Sequence, residues 1–402
     1  MSRNVVLIGT LDTKGPEIAY LKDLIQKEGF STIVVDVGVF PPQGVTPDIS
    51  HESIAEAAGT NIGQLLAGKN RKSAIDTLAI GGARILEELY KKGLVSAAIA
   101  VGGGTGTHIA AAMMRRLPIG IPKVIISTVV SRDVSPIVQY SDFTLIHAEA
   151  DIAGLNFMTR KILSDGALAV MAMAKNAFES CNDRKVVAIT SYGPLNQCAE
   201  CVTKELMLRG HEVVPFHAVG AGTMAMENLV AQGLINAVVD LSLHELVDSL
   251  FDGYCKNIGS ERYEIPGRIC IPHIILPGGL DMIAFECESI EGIPETLRSR
   301  KFLAHDFRSF IRTNEEDMRR VAEILAEKLN RALRPPTVII PTNGWSKADA
   351  ASAPFYDPRV NKAFTDHLKR SIKENVVVKE IDAHINDPRC AAYIAAQLDT
   401  LM

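Results

Sequence analysis

The sequence predicts an α/β protein with doubly wound, mainly parallel sheets, and three observations carry this. Short, nearly unbroken apolar segments of strand length alternate with amphipathic segments of helix length, the pattern of strands covered on both faces. The rhythm stops at a polar break, "SCNDRK", and then restarts, which divides the chain into two α/β domains, 1–180 and 181–402. A chain of 402 residues is also too long for one ordinary core, so two domains suit its length.

In the first half, "NVVLIGT" is a strand, "GPEIAYLKDLIQKEG" an amphipathic helix and "STIVVDV" the next strand. A loop rich in proline (Pro41, Pro42, Pro47) precedes helical patterns at 51–67 and 70–92. "SAAIAVGGG" is a strand, 107–116 a helix, and "PKVIISTVV" and "DFTLIHAEA" are further strands before one or two buried helices over 154–179. In the second half, the strand "VVAITSYG" leads into "PLNQCAECVTKELMLRG", a helix with Pro near its start and Gly at its end. "HEVVPFHA", a helix after "GAGT" and the strand "INAVVDLS" follow. Capping boxes at Ser242–Glu245 and Thr313–Glu316 are expected to open two helices, the second spanning 314–333. "RICIPHIILPG", "PTVIIPT" and "NVVVKEID" complete the strands, with helices at 358–373 and after "NDP". Both halves contain a G-x-G-T turn, Gly104–Thr107 and Gly220–Thr223. An old duplication and the shared needs of strand-to-helix turns both account for that rhyme.

Composition excludes several classes. Apolar residues form 47% and charged residues 22% of the chain, as in ordinary globular proteins. A net charge of −5 without a basic cluster lacks the footprint of a nucleic-acid binder. No apolar run has the length of a membrane span and no signal peptide precedes the first strand, so a cytoplasmic location is expected. Seven scattered cysteines do not make a disulfide framework. Cys198 and Cys201 have C-x-x-C spacing, but no second pair completes a metal site, and two packed helix residues are the simpler reading; a redox role is left open.

In a doubly wound sheet, ligands bind beyond the carboxyl ends of the strands. In the first half those ends carry Asp12, Thr13 and Lys14, then Asp36, then the glycine-rich turn from Gly102 through Gly103, Gly104, Thr105 and Gly106 to Thr107, then Ser127, Thr128, Ser131, Arg132 and Asp133. Glycines at a helix start let a phosphate approach partly positive backbone N–H groups, and the hydroxyls, Lys14 and Arg132 would add bonds. The rival reading of the turn is tight packing of a helix on a strand. Asp36 is placed to accept from ribose hydroxyls. Magnesium bridging nucleotide phosphates needs only one or two carboxylates, for which Asp12 and Asp133 are candidates. In the second half, His217 precedes a G-x-G turn and suits general acid/base work or a phosphate contact, with a hydrogen-bonded structural histidine as the alternative. Asp281, His305 with Arg312, Asn343 and His384 are the other polar loop residues. Trp345 would stack on a base or anchor its loop, and His384 would orient the loop before the last helix. G-x-S-x-G, H-E-x-x-H, Walker A and kinase signatures are absent.

"GTLDTKGPE", "DVGV", "GGGTGT", "RRLPIGIPKVIISTV", "DIAGLN", "PGGLDM", "PFYDPRVNKAF" and "HINDP" together resemble the tomato mosaic virus resistance protein-like ATP-binding domain family, over nearly the whole chain. The resemblance implies two Rossmann-like domains, ATP as ligand with magnesium, and self-association into a homo-oligomer; it supplies no reaction. The chain departs from the family pattern at "HDFRSFIRTN", which retains His305, Arg312 and Thr313, and at "NGWS" where relatives often have "GGVS". The expectation is an ATP-binding protein in which Thr13, Lys14, Gly102–Thr107 and Ser127 hold phosphates and Asp36 holds ribose. His217, Arg312 and Asn343 would serve a small acid accepting a phosphoryl or adenylyl group in an interdomain cleft. A non-catalytic ATP-regulated binding protein, and a lyase or hydrolase of keto or acyl compounds, are the alternatives.

Overall fold

The computed structural model describes residues 4–68, 70–176 and 184–402. Backbone contacts divide the chain into two units, Met1–Ser180 and Cys181–Met402; the expected boundary at 180 itself lies outside the described residues.

In the first unit, β1 (Asn4–Gly9), β2 (Ser31–Asp36), β3 (Ala97–Gly102), β4 (Lys123–Ser127) and β5 (Phe143–His147) form a parallel sheet in the order β2-β1-β3-β4-β5. Its helices are α1 (Leu11–Lys27), α2 (His51–Ala57), α3 (Ile62–Ala67), α4 (Arg71–Lys91), α5 (Gly104–Met114), α6 (Ser135–Val138) and α7 (Phe157–Lys175). Strand side chains alternate in direction, so β1 feeds two cores. Val5 and Leu7 pack with Ile18 of α1 and Leu163 of α7, while Val6 and Ile8 pack with Leu78 of α4 and Ile109 of α5. That two-sided burial is why the strands read as unbroken apolar runs.

In the second unit, β6 (Val186–Ser191), β7 (Glu212–His217), β8 (Ala237–Ser242), β9 (His273–Gly278), β13 (Thr337–Pro341) and β14 (Val377–Ile381) are parallel, in the order β14-β13-β9-β8-β6-β7. Beside them, β10 (Met282–Phe285), β11 (Phe302–Ala304) and β12 (Ser309–Arg312) form a small antiparallel sheet that the sequence pattern did not reveal. The helices are α8 (Asn196–Leu208), α9 (Ala221–Ala231), α10 (His244–Leu250), α11 (Ile265–Arg268), α12 (Glu315–Leu329), α13 (Pro358–Ser371) and α14 (Pro388–Leu401). Both main sheets start from a central strand, place the second strand to one side and continue on the other. The α/β class with two doubly wound, Rossmann-like units is what the chain adopts.

Three local expectations are corrected. Ser242 ends β8 and caps nothing, because Glu245 turns back to α9. The box at α12 is Asn314 with Asp317, one residue later than expected, while the Thr313 hydroxyl donates to the Leu280 carbonyl (2.8 Å). The two G-x-G-T turns follow different strands, β3 of the first sheet and β7, the second strand of its own sheet. Their rhyme therefore reflects turn chemistry at positions that are not equivalent.

Candidate functional site: a glycine-walled crevice in the first unit

In the order β2-β1-β3, the chain winds away from β1 in both directions, so the loops after β1 and β3 part there and leave a crevice. A cavity of about 740 Å³ occupies this point, with Thr10, Asp12, Thr13, Lys14, Gly103, Gly104, Thr105 and Gly106 in its wall. Gly103 is the N-cap of α5 and no side chain caps that helix, so its first N–H groups face the crevice.

The four glycines of "GGGTG" divide by role. A Cβ on Gly102 would meet the Gly106 backbone at 3.1 Å, so Gly102 serves close packing of strand on helix. A Cβ on Gly103, Gly104 or Gly106 would find no neighbour nearer than 3.8 Å, and none of the three has a positive φ. Folding does not require glycine at those positions, which leaves the backbone at the helix start open to the crevice. The turn of the second unit is the reverse case. A Cβ on Gly220 or Gly222 would strike backbone at 2.6 Å and 2.2 Å. The protein's own carboxylate occupies that helix start, Glu245 Oε1 accepting from Gly220 N (2.7 Å) and Thr223 Oγ1 (2.8 Å). One turn is plugged by an internal anion, and the other is left open.

Arg71, in the first turn of α4, reaches the same crevice and donates to Thr105 Oγ1 (3.4 Å). It was missed by sequence reasoning, although a legible sign existed. Arg71 and Lys72 begin a helix, where the macrodipole disfavours cations. Lys14 donates to the Ile152 carbonyl while lining the crevice, and Thr13 is bonded to Thr10, Oγ1 to Oγ1, at 2.8 Å. The opposite wall is apolar, formed by Val37, Val39, Phe40, Leu66, Ile75 and Leu78. Phe40 and Leu66 are left 58% and 47% exposed, so the slot offers a flat apolar ligand a place to cover them.

Other expected residues are placed elsewhere. Asp36 is buried and saturated, accepting from Leu11 N (3.0 Å) and Gly38 N (2.9 Å) and pairing with His51 Nδ1 (2.7 Å). It pins the loops around the crevice and has no oxygen directed to a ribose. Thr107 and Ser127 are buried against each other, Oγ to Oγ at 2.6 Å, and brace α5 on β4. Of the two candidate magnesium ligands, Asp12 lies in the wall, with Oδ2 accepting from Val39 N and Phe40 N (both 3.3 Å). Asp133 is exposed outside it, where bonds from Ser135 hold its carboxyl below the usual range.

The structure does not join His217, Arg312 and Asn343 by any hydrogen bond or ion pair. His217 is exposed at the end of β7; partial burial and Arg308 lower its pKa, so it is neutral at pH 7. Arg312 is buried and donates to the Phe355 carbonyl (2.6 Å), Thr313 Oγ1 (2.7 Å) and Asn361 Oδ1 (2.8 Å), fastening β12 to the loop after β13. Asn343 is exposed and donates to Asp382 Oδ1 (3.0 Å). His384 accepts from Asn386 N (3.1 Å) and its other nitrogen bonds the Ser346 carbonyl (3.0 Å), so it orients its loop. Trp345 is buried against Phe364 and donates to the Pro341 carbonyl (2.7 Å), a loop anchor. The Cys198 and Cys201 thiols are free, and burial raises the Cys198 pKa well above its usual value. Among the described residues, no helix is long and apolar enough to cross a membrane.

The second unit has its own switch point between β6 and β8, and the residues just past those strands are Tyr192 and His244, stacked with ring centroids 3.5 Å apart. Burial pushes the nearby Asp248 carboxyl up to about 7 and holds the His244 imidazole well below its usual pKa.

Two family models match the chain, one after the other. The N-terminal domain of the uncharacterised protein family UPF0261 matches residues 3–179 and its C-terminal domain matches 184–402. A UPF0261 protein of Clostridium tetani is 36% identical over 405 residues, covering 100% of both chains, and one of Rhizobium meliloti is 33% identical over 401 residues, covering 99% of both. The ToMV resistance protein Tm-1(GCR237) of Solanum lycopersicum is 34% identical over 302 residues, which are 73% of this chain and 40% of that protein. Among solved structures, the UDP-GlcNAc 2-epimerase of Methanocaldococcus jannaschii, in complex with UDP-GlcNAc and UDP, aligns with 68% of this chain and 83% of its own, at 9% identity and a TM-score of 0.24. That of Neisseria meningitidis aligns with 99% of each chain at 9% identity and 0.23. Matched by both family models and by relatives along its whole length, the chain belongs to the UPF0261 family.

Proposed function

We propose that the chain binds ATP with magnesium in the crevice of the first unit, phosphates at the start of α5 and adenine on the apolar wall. The observation that carries this reading is the set of glycines, Gly103, Gly104 and Gly106, that packing does not require, at an uncapped helix start beside Arg71. Asp12 would hold the magnesium, which would neutralise phosphate charge. The apolar wall beside Asp36 supports a nucleotide over a small keto or acyl compound as the ligand. Arg312 is spent inside the fold and Asn343 is tied to Asp382, which favours ATP as an effector over ATP as a group donor. Phosphoryl or adenylyl transfer to a small acid is the second reading, favoured by the neutral, exposed His217 at a strand end.

Calorimetric titration with ATP, ADP, AMP and adenosine, with and without magnesium, tests the binding. Affinity should rise with phosphate number; equal affinity for adenosine and ATP would remove the phosphate site. Incubation with Mg-ATP and a panel of small acids separates the two readings, since an effector leaves the nucleotide unchanged.

A further inference from the structure

We propose that the second unit holds a divalent transition-metal ion of the zinc class between His244 Nε2, the Asp248 carboxylate and Cys255 Sγ. One donor atom from each of these buried residues lies within 4.8 Å of the others, the arrangement found for this set among the described residues. His244 and Asp248 stand four apart on α10 and so share a face; Cys255 comes from the loop that follows.

The donor set is prepared for a cation. Ser242 Oγ lies 2.7 Å from His244 Nδ1 and has its own acceptor in the Gly278 carbonyl (3.4 Å), so Nδ1 can donate to it and free the Nε2 lone pair for an ion. Nε2 is buried with no hydrogen-bond partner, which without an ion is a net cost. The Tyr192 ring clamps the imidazole from one face, and Gly279, at φ +74°, packs so closely that a Cβ would come within 2.9 Å of His244 Cβ. The two Asp248 oxygens accept from Cys255 N and Ala284 N (both 2.9 Å), which orients the carboxylate, and the Cys255 thiol bonds it as well, so an ion would replace the thiol proton between them. These contacts are the outer bonds that fix ligands around a metal.

In the bound state one divalent cation would neutralise the two negative charges of the thiolate and the carboxylate. Loading breaks the Cys255 S–H bond and forms a metal–sulfur bond; the thiol proton leaves for bulk water and no electron is transferred. The site is closed, so its role is to fix the loops at the β6/β8 switch point, and the ion enters during folding.

The test uses the full chain, purified from zinc-supplemented cells for elemental analysis and also refolded with Co²⁺ as the optical probe. About one metal per chain and a thiolate-to-cobalt charge-transfer band are expected. The band should vanish in Cys255→Ser and persist in Cys201→Ser, whose thiol lies outside the cluster. If Cys255→Ser does not fold, the wild-type spectrum decides, because the band requires a bound thiolate. Absence of both zinc and the band in the wild type, or a band retained in folded Cys255→Ser, would overturn the proposal.

Discussion

Asp36 and Arg71 show how burial reassigns residues that sequence alone ranks by type. A carboxylate at a strand end can hold ribose, but here three internal donors consume it. Asp36→Ala leaves two amides and an imidazole unmatched, and should destabilise the first unit by about 3 kcal/mol. Chemical denaturation checks that loss, and any fall in nucleotide affinity should accompany it, since Asp36 holds the loops of the crevice and no ligand contact is removed. A large affinity loss at unchanged stability would restore the ribose role. Arg71 is the converse, a residue with little internal work. Arg71→Gln should weaken ATP about tenfold, the worth of one charge-assisted hydrogen bond, while adenosine binding holds. Titration of the two ligands side by side reads the difference.

At the scale of elements, much of the fold was legible. Unbroken apolar runs announced the main parallel strands, and glycine and proline marked the ends of several helices. What escaped were features that depend on distant partners. Glu245 has the spacing of a capping box after Ser242, yet the open start of α9 and Arg262 Nε (3.3 Å) draw it away. The strands β10, β11 and β12 are short and irregular in pattern, so nothing local set them apart from loop. In the candidate site, the glycine turn, Asp12, Thr13 and Lys14 were visible from strand ends, while Arg71 and the apolar wall come from α3, α4 and the loop after β2, far away in sequence. The loop at the start of β10 also carries a pH signature. Burial, and then repulsion by Asp349, push the Asp281 carboxyl up to about 7. The folded chain then keeps a proton that the unfolded chain has lost, so stability falls as pH rises from about 4 to about 7. Asp281→Asn, which keeps an acceptor for Ser346 Oγ, should reduce that slope in denaturation midpoints measured across the window, leaving the share due to Asp248.

For the whole molecule, one winding occurs twice and is used differently. Both sheets open a switch point beside their first strand, between β1 and β3 and between β6 and β8. In the second unit that point is closed by buried side chains, Tyr192 on His244, and its G-x-G-T turn is filled by Glu245. In the first unit the crevice is open, and its glycines exceed what packing needs. A ligand that binds only the folded state stabilises it by about 2.7 kcal/mol at a hundred times Kd, so binding and thermal midpoint can be read on one sample. The decisive measurement is ATP titration of Gly106→Ala against wild type, with thermal unfolding of both. The added methyl stands no nearer than 3.8 Å to any neighbour, and replaces glycine within a helix, so the ligand-free variant should unfold at the same temperature or higher. Its affinity for Mg-ATP should fall at least about tenfold, because the methyl occupies the approach of the phosphate to the backbone. Equal affinity in the variant, or no ATP binding by the wild type, would contradict the assignment of the crevice as a phosphate site.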